Sequence, residues 1–286
     1  MNLFQRTLTV LTMLLTAALA AAPAFGSAII GRDVTGASLS IDHQGRGHVS
    51  YRSGGRERYV VAWGAIDARA PSTGQAQVKF RLHYGLRGNG VCLPYDGPPL
   101  GWLVKACKAP DGSYWALQEW VRLKPNYGGK IGAKELHLSH WRGPLAVLTV
   151  YQNWAGGKYR HLFGRLTYAG RGVYGFKATP HGAPLDSYGR NIYVDTFESR
   201  YGRGWHRENS FLTHHRGKTL GDFCYGFFPH FGHPPGRGTR YRATAEGPGV
   251  TPDVMWAADD IGGFDRAVQE QQQALERSWG DPKCRT

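Results

Sequence analysis

The stretch GQAQVKFRLHYG, residues 74–85, alternates without a break: Val78, Phe80, Leu82 and Tyr84 share one side of an extended chain, and Lys79, Arg81 and His83 the other. Successive side chains of a strand point to opposite faces, so this pattern predicts a half-buried strand of an antiparallel sheet. Just upstream, GHVSYRSGGRERYVVAWGAI (47–66) holds two strand-like runs about Ser53-Gly54-Gly55-Arg56. Glycine supplies the positive backbone angles of a tight hairpin there. Val49 and Tyr51 alternate with polar neighbours while 59–63 is nearly all apolar, which predicts one half-exposed strand and one central strand.

Downstream the same signature repeats in SYWALQEWVRL (113–123), ELHLSHW (135–141), LAVLTVYQNW (145–154) and KYRHLFGRLTYAG (158–170). Short runs bounded by glycine, proline or asparagine predict an all-β chain, an antiparallel β-sandwich or jelly roll, rather than alternating β and α units. Helix competes at 113–123, where Leu117, Trp120 and Val121 would also share a helical face. The turn KPNYGGKIGAK (124–134) is the one place to divide the chain, but composition does not shift across it, so a single domain over 25–286 is expected. The exception to β is GGFDRAVQEQQQALERSWG (262–280). Phe264, Ala267, Val268, Gln271, Leu275 and Trp279 recur at helical spacing, predicting an amphipathic helix over about 262–279 that packs on the β body. Asp265 suits its N-terminus, and Gly280 with Pro282 ends it.

At the other end, Arg6 precedes an apolar run (8–19) that leads into AAAPAFGSA (20–28). That order reads as a secretory signal peptide, residues 1–24, cut after Ala24 or, less suitably, after Ala28. The run is shorter than the roughly 20 residues a membrane span needs, and no second one follows. A secreted, extracellular chain with no transmembrane segment in its mature part is the expectation. Four cysteines suit an oxidising compartment, with Cys92–Cys107 and Cys224–Cys284 the preferred pairing. Aromatics at 13% and charged residues at 20% exclude a disordered chain. The net charge of +14 favours encounter with anionic polymers without conferring specificity.

Candidate chemistry concentrates in 186–233. Trp205, Tyr193 and Tyr201 offer flat faces for sugar rings, with Arg203, Arg207 and Asn209 as polar contacts. The expected partner is a polysaccharide or an anionic cell-wall polymer; nucleic acid could stack on the same aromatics and is the less favoured ligand. A binding protein for a cell-surface or environmental polymer is the leading expectation. A glycosidase-like secreted hydrolase would use Asp195 and Glu208 as acid and base, and a structural envelope protein would use neither. His214, His215, His230 and His233, with Asp222, are the nearest approach to a metal set, but the zinc-peptidase arrangement is missing; neither metal nor cofactor is expected. Four Gly-Arg-Gly tripeptides, at 45–47, 170–172, 202–204 and 236–238, read as hairpin tips kept wet by arginine. No serine-hydrolase elbow or phosphate-binding fingerprint accompanies them.

Overall fold

Gly54 and Gly55 take φ values of +57° and +74°, and Ser53 pairs with Arg56, so the turn is the tight hairpin that the two glycines permit. Strands grow from both sides of it. The computed structural model describes residues 27–69, 77–121, 132–155, 159–172, 177–178, 184–185, 192–198, 203–207, 212–214, 224–227, 239–259, 265–268, 270, 271 and 274. In chain order the strands are β1 (Ala28–Arg32), β2 (Thr35–Ile41), β3 (Gly47–Ser53), β4 (Arg56–Trp63), β5 (Arg81–Tyr84), β6 (Leu103–Lys108), β7 (Tyr114–Val121), β8 (Lys134–Trp141) and β9 (Val147–Ala155). There follow β10 (Tyr159–Tyr168), β11 (Arg171–Gly172), β12 (Lys177–Ala178), β13 (Pro184–Leu185), β14 (Ile192–Phe197), β15 (Trp205–Arg207), β16 (Leu212–His214), β17 (Cys224–Phe227), β18 (Arg240–Ala245) and β19 (Val254–Asp259). The protein is all-β, and its paired strands run antiparallel.

Strands β2-β3-β4-β5 form one sheet and β1-β8-β7-β6 a second. Both β3 and β4 are interior; in β3 Val49 and Tyr51 are buried while Ser50 is half-buried and Arg52 exposed, and in β4 the run Val60, Val61 and Ala62 is buried throughout. Ile41, Val49, Tyr51 and Val60 of the first sheet join Trp115, Leu117, Leu136 and Leu138 of the second in one buried cluster. The chain crosses between the sheets at Asp33, which takes φ +48° while its carboxylate accepts from the Lys134 backbone N–H at 3.0 Å. Tyr51 spans the same gap by donating to the Ile30 carbonyl at 2.6 Å. At the other edge Val91 bridges to Ile41 of β2 and Leu93 to Lys108 of β6, with the Cys92–Cys107 disulfide between them. The disulfide thus ties the two sheets together beside this seam. Phe80 and Leu82 pack on the core as their alternation predicted, but Tyr84, which shares their face, is 55% exposed at the strand's end.

Beyond β8, strands β9, β10, β11, β16 and β17 form a five-stranded sheet and β15-β14-β18-β19 a four-stranded one. Tyr241, Ala243 and Ala245 of β18 share a second buried cluster with Ala146 and Leu166. The loop between β18 and β19 reaches back to the first half: residues 246–253 are all buried, and Asp253 bonds to residues of β7. Gly249 makes its tight turn, with φ +58° and no room for a Cβ, which would lie 2.6 Å from the Asp67 carbonyl oxygen.

Of the expected C-terminal helix, 266–268 are helical and Asp265 accepts from the backbone N–H groups of Ala267 and Val268, as an N-cap does. Of its apolar stripe, Ala267 and Gln271 are exposed and Val268 is half-buried, while Phe264, Leu275 and Trp279, the residues expected to pack on the β body, lie outside the described residues. Most of the rest of 262–279 lies outside the described residues, as do residues 1–26 and Cys284 of the expected Cys224–Cys284 pair. No helix among the described residues is long and apolar enough to cross a membrane.

Candidate functional site

A groove with a volume of about 860 Å³ opens where four connections converge, those between β2 and β3, β4 and β5, β6 and β7, and β8 and β9. One wall is the turn between β2 and β3. Asp42 organises it: its carboxylate accepts from the backbone N–H of Gln44 and of Arg46 at 2.9 Å each, from Arg46 Nε at 2.7 Å and from His48 Nε2 at 2.8 Å. Burial opposes the charge, yet these bonds outweigh it and hold the carboxyl far below its ordinary range. Arg46 is thereby fixed at the rim, its side chain 38% exposed. Gly47 behind it lies flat against Trp115, where a Cβ would come within 2.7 Å of the indole.

The opposite wall carries Asp111, His140 and Arg142. Arg142 pairs with Asp111 at 2.9 Å. His140 stacks on Trp115 with centroids 4.0 Å apart, and its Nδ1 donates to the Ala65 carbonyl at 2.7 Å. That leaves Nε2 as the acceptor in the neutral ring, 2.9 Å from Ser113 Oγ. Burial pushes His140 down to about 4, outweighing the carbonyl and the Asp111 charge. Burial would raise Asp111, but its bonds with Ser113, helped by the Arg142 charge, bring it below the usual carboxylate value. Ser113 has nucleophile-to-base spacing from His140, but it is 1% exposed, and its one proton is shared with Asp111, 2.6 Å away. The arrangement is a brace for the wall, not a reacting pair.

Trp63 and Arg69 complete the groove, Trp63 half-buried and Arg69 exposed. The result is an indole and an imidazole among three guanidinium groups. Flat apolar faces suit the CH faces of sugar rings, and guanidinium forks suit carboxylate or phosphate.

The residues singled out in 186–233 are placed differently. Asp195 is buried and accepts from Arg242 Nε at 2.8 Å, directly across the β14–β18 pair. Arg242 lies over Trp205, 4.1 Å from the ring centroid, and over Trp102 at 5.0 Å. One face of the Trp205 ring is therefore occupied by a buried cation. Arg207 stands opposite Asp195 in the ladder and Arg203 is exposed. Tyr193 and Arg207 are placed by backbone alone; Tyr201, Glu208 and Asn209 lie outside the described residues. His215, His230 and His233 also lie outside them, and no group of three or more metal-ligating side chains occurs among the described residues.

Sequence reasoning passed over the groove because its parts lie far apart, at 44–46, 63–69, 111–115 and 140–142. The available signal was the Gly-Arg-Gly turn at 45–47, whose arginine can serve carboxylate or phosphate but reads more simply, taken alone, as a solvated tip. No family model matches this chain, and neither a curated protein nor a solved structure matches it.

Proposed function

We propose that this chain is an exported binding protein for a cell-surface or environmental polymer, a carbohydrate or an anionic wall component, and that the groove between Trp63, His140 and the three arginines is where it binds. The scaffold of this reading is a sandwich of the first two sheets, which contribute to one core. The observation that carries it is the partly exposed Trp63 indole set beside Arg46, Arg69 and Arg142 over the stacked His140–Trp115 floor. The walls are held by the Asp42 and Asp111 bonds, so little ordering is left for the ligand to impose. Export accounts for the disulfide and the leader-like N-terminus.

The test is co-sedimentation of the mature protein with insoluble polysaccharides and cell-wall preparations at low and high salt, with the supernatant analysed for released fragments. Trp63→Ala should weaken retention about tenfold at high salt, the equivalent of roughly 1.4 kcal/mol. Arg69→Ala combined with Arg142→Ala should act mainly at low salt, where charge is least screened. Retention that neither variant changes removes the groove from this role, and fragments in the supernatant would replace binding by hydrolysis.

A further inference from the structure

Ser27, the first residue described, is fully buried. Its Oγ donates to Asp253 Oδ1 at 2.6 Å and lies 2.8 Å from His137 Nδ1. Asp253 gathers more of the interior around that contact. Its carboxylate accepts from Trp120 Nε1 at 2.7 Å and from the Gly247 N–H at 3.0 Å, while its own N–H donates to Gln118 Oε1 at 2.8 Å. His137 stacks on Trp120 with centroids 4.9 Å apart. This is not a catalytic triad, because serine and aspartate both lie against Nδ1 and the whole group is sealed from solvent. It is the joint that fastens the β18–β19 loop to the β1-β8-β7-β6 sheet, and Ser27 is part of it. Ala28 next to it starts β1, paired with Leu138 and packed against the core.

The leader offers two cut sites with small residues at the required positions, after Ala24 and after Ala28. The second would remove Ser27 and Ala28 together. His137 and Asp253 would then lose a buried hydrogen-bonding partner that the rest of the joint does not replace, a costly vacancy in a dry interior. We infer that this chain is processed between Ala24 and Phe25, so that the mature protein begins Phe25-Gly26-Ser27 and keeps Ser27 as a member of the joint. Water adds across the Ala24–Phe25 peptide bond under the exporting cell's signal peptidase, leaving a carboxylate on Ala24 and an ammonium on Phe25. The inference rests on the export reading given above.

The experiment is expression of the full chain in an exporting bacterial host, followed by N-terminal sequencing and intact mass of the product outside the cytoplasm. A start at Phe25 is expected. A start at Ile29 or beyond overturns this inference and leaves export intact; a cell-retained product with the mass of the uncut chain overturns export and this inference with it. A second measurement compares thermal midpoints of leaderless chains beginning at Phe25 and at Ile29, produced under oxidising conditions. The shorter should unfold lower by about 4 °C or more, or fail to fold. Ser27→Ala in the longer chain should lower its midpoint in the same direction. Equal midpoints for all three would show that Ser27 contributes nothing to the joint and overturn the argument for the site.

Discussion

The two faces of the β1-β8-β7-β6 sheet are both buried, and they are held by opposite chemistry. Toward the first sheet lie Trp115, Leu117, Leu136 and Leu138, an apolar surface that takes what packs well against it. On the other face Gln118 and Trp120 meet Asp253 through directed hydrogen bonds, and His137 Nδ1 lies 3.2 Å from its carboxylate. An apolar face tolerates sliding and substitution of similar volume, whereas a dry polar face accepts only the loop that satisfies every donor and acceptor. The difference teaches why one face carries the bulk of the stabilisation while the other decides which loop docks, and in what register.

The sharpest way to break this comparison is Asp253→Ala. It leaves the Trp120 and Gly247 N–H groups without their acceptor and His137 without its nearest carboxylate, so a loss of about 3–5 kcal/mol is expected in urea unfolding. Leu117→Ala on the other face should cost about 2–5 kcal/mol by transfer and cavity terms. The faces are told apart by coupling. Ser27→Ala should cost much less in the Asp253→Ala background than alone, while it should simply add to Leu117→Ala if their surroundings are independent. Additivity in both backgrounds would mean that the polar face is no more cooperative than the apolar one.

A smaller effect is expected at the loop that joins the faces to the second half of the chain. Gly249→Ala forces a side chain into φ +58° and against the Asp67 carbonyl, so about 1–3 kcal/mol should be lost. Because the Val250 N–H donates to Asp67 and the Val250 carbonyl accepts from His140, the same change should loosen the groove wall and lower polymer retention. Undiminished retention in a destabilised Gly249→Ala protein would separate the loop from the site.

These contrasts also mark what the sequence could and could not show. The hairpin at Gly54-Gly55 and the strand over Tyr114–Val121 were legible, because glycine pairs and apolar spacing are local signals. The strand proposed over 74–85 was legible in its faces but not in its length: among the described residues of that span, pairing occurs only over Arg81–Tyr84, where β4 is available as a partner. The apolar alternation does not reveal where a partner strand ends. Asp195 read as a catalytic candidate because its partner, Arg242, stands 47 residues away and opposite it only once β14 and β18 pair. The same holds for the groove, whose arginines at 46, 69 and 142 share no sequence pattern. Asp253 and Ser27, 226 residues apart, were passed over altogether, since a lone serine and a lone aspartate carry no local signal of burial.

The finest test of the two-face comparison lies in two histidines of β8, three positions apart and therefore on opposite faces. Burial pushes His140 down to about 4, so the folded protein binds fewer protons than the unfolded chain between that value and the ordinary histidine value of about 6.5. Its contribution to stability is complete above about 6.5 and is lost as pH falls toward about 4. His137 has the opposite sign: burial would lower it, but Asp253, Glu135 and Glu246 outweigh burial and raise it. Its contribution is complete below about 6.5 and is lost as pH rises through the raised folded value. Urea unfolding should therefore give stability that climbs with pH on the acid side and declines on the alkaline side, each limb no steeper than about 1.4 kcal/mol per pH unit for one proton. His140→Gln should flatten the acid limb alone, and His137→Gln the alkaline limb alone. If either substitution flattened both limbs, the two faces would titrate as one unit, and the division between an apolar and a polar side of this sheet would fail.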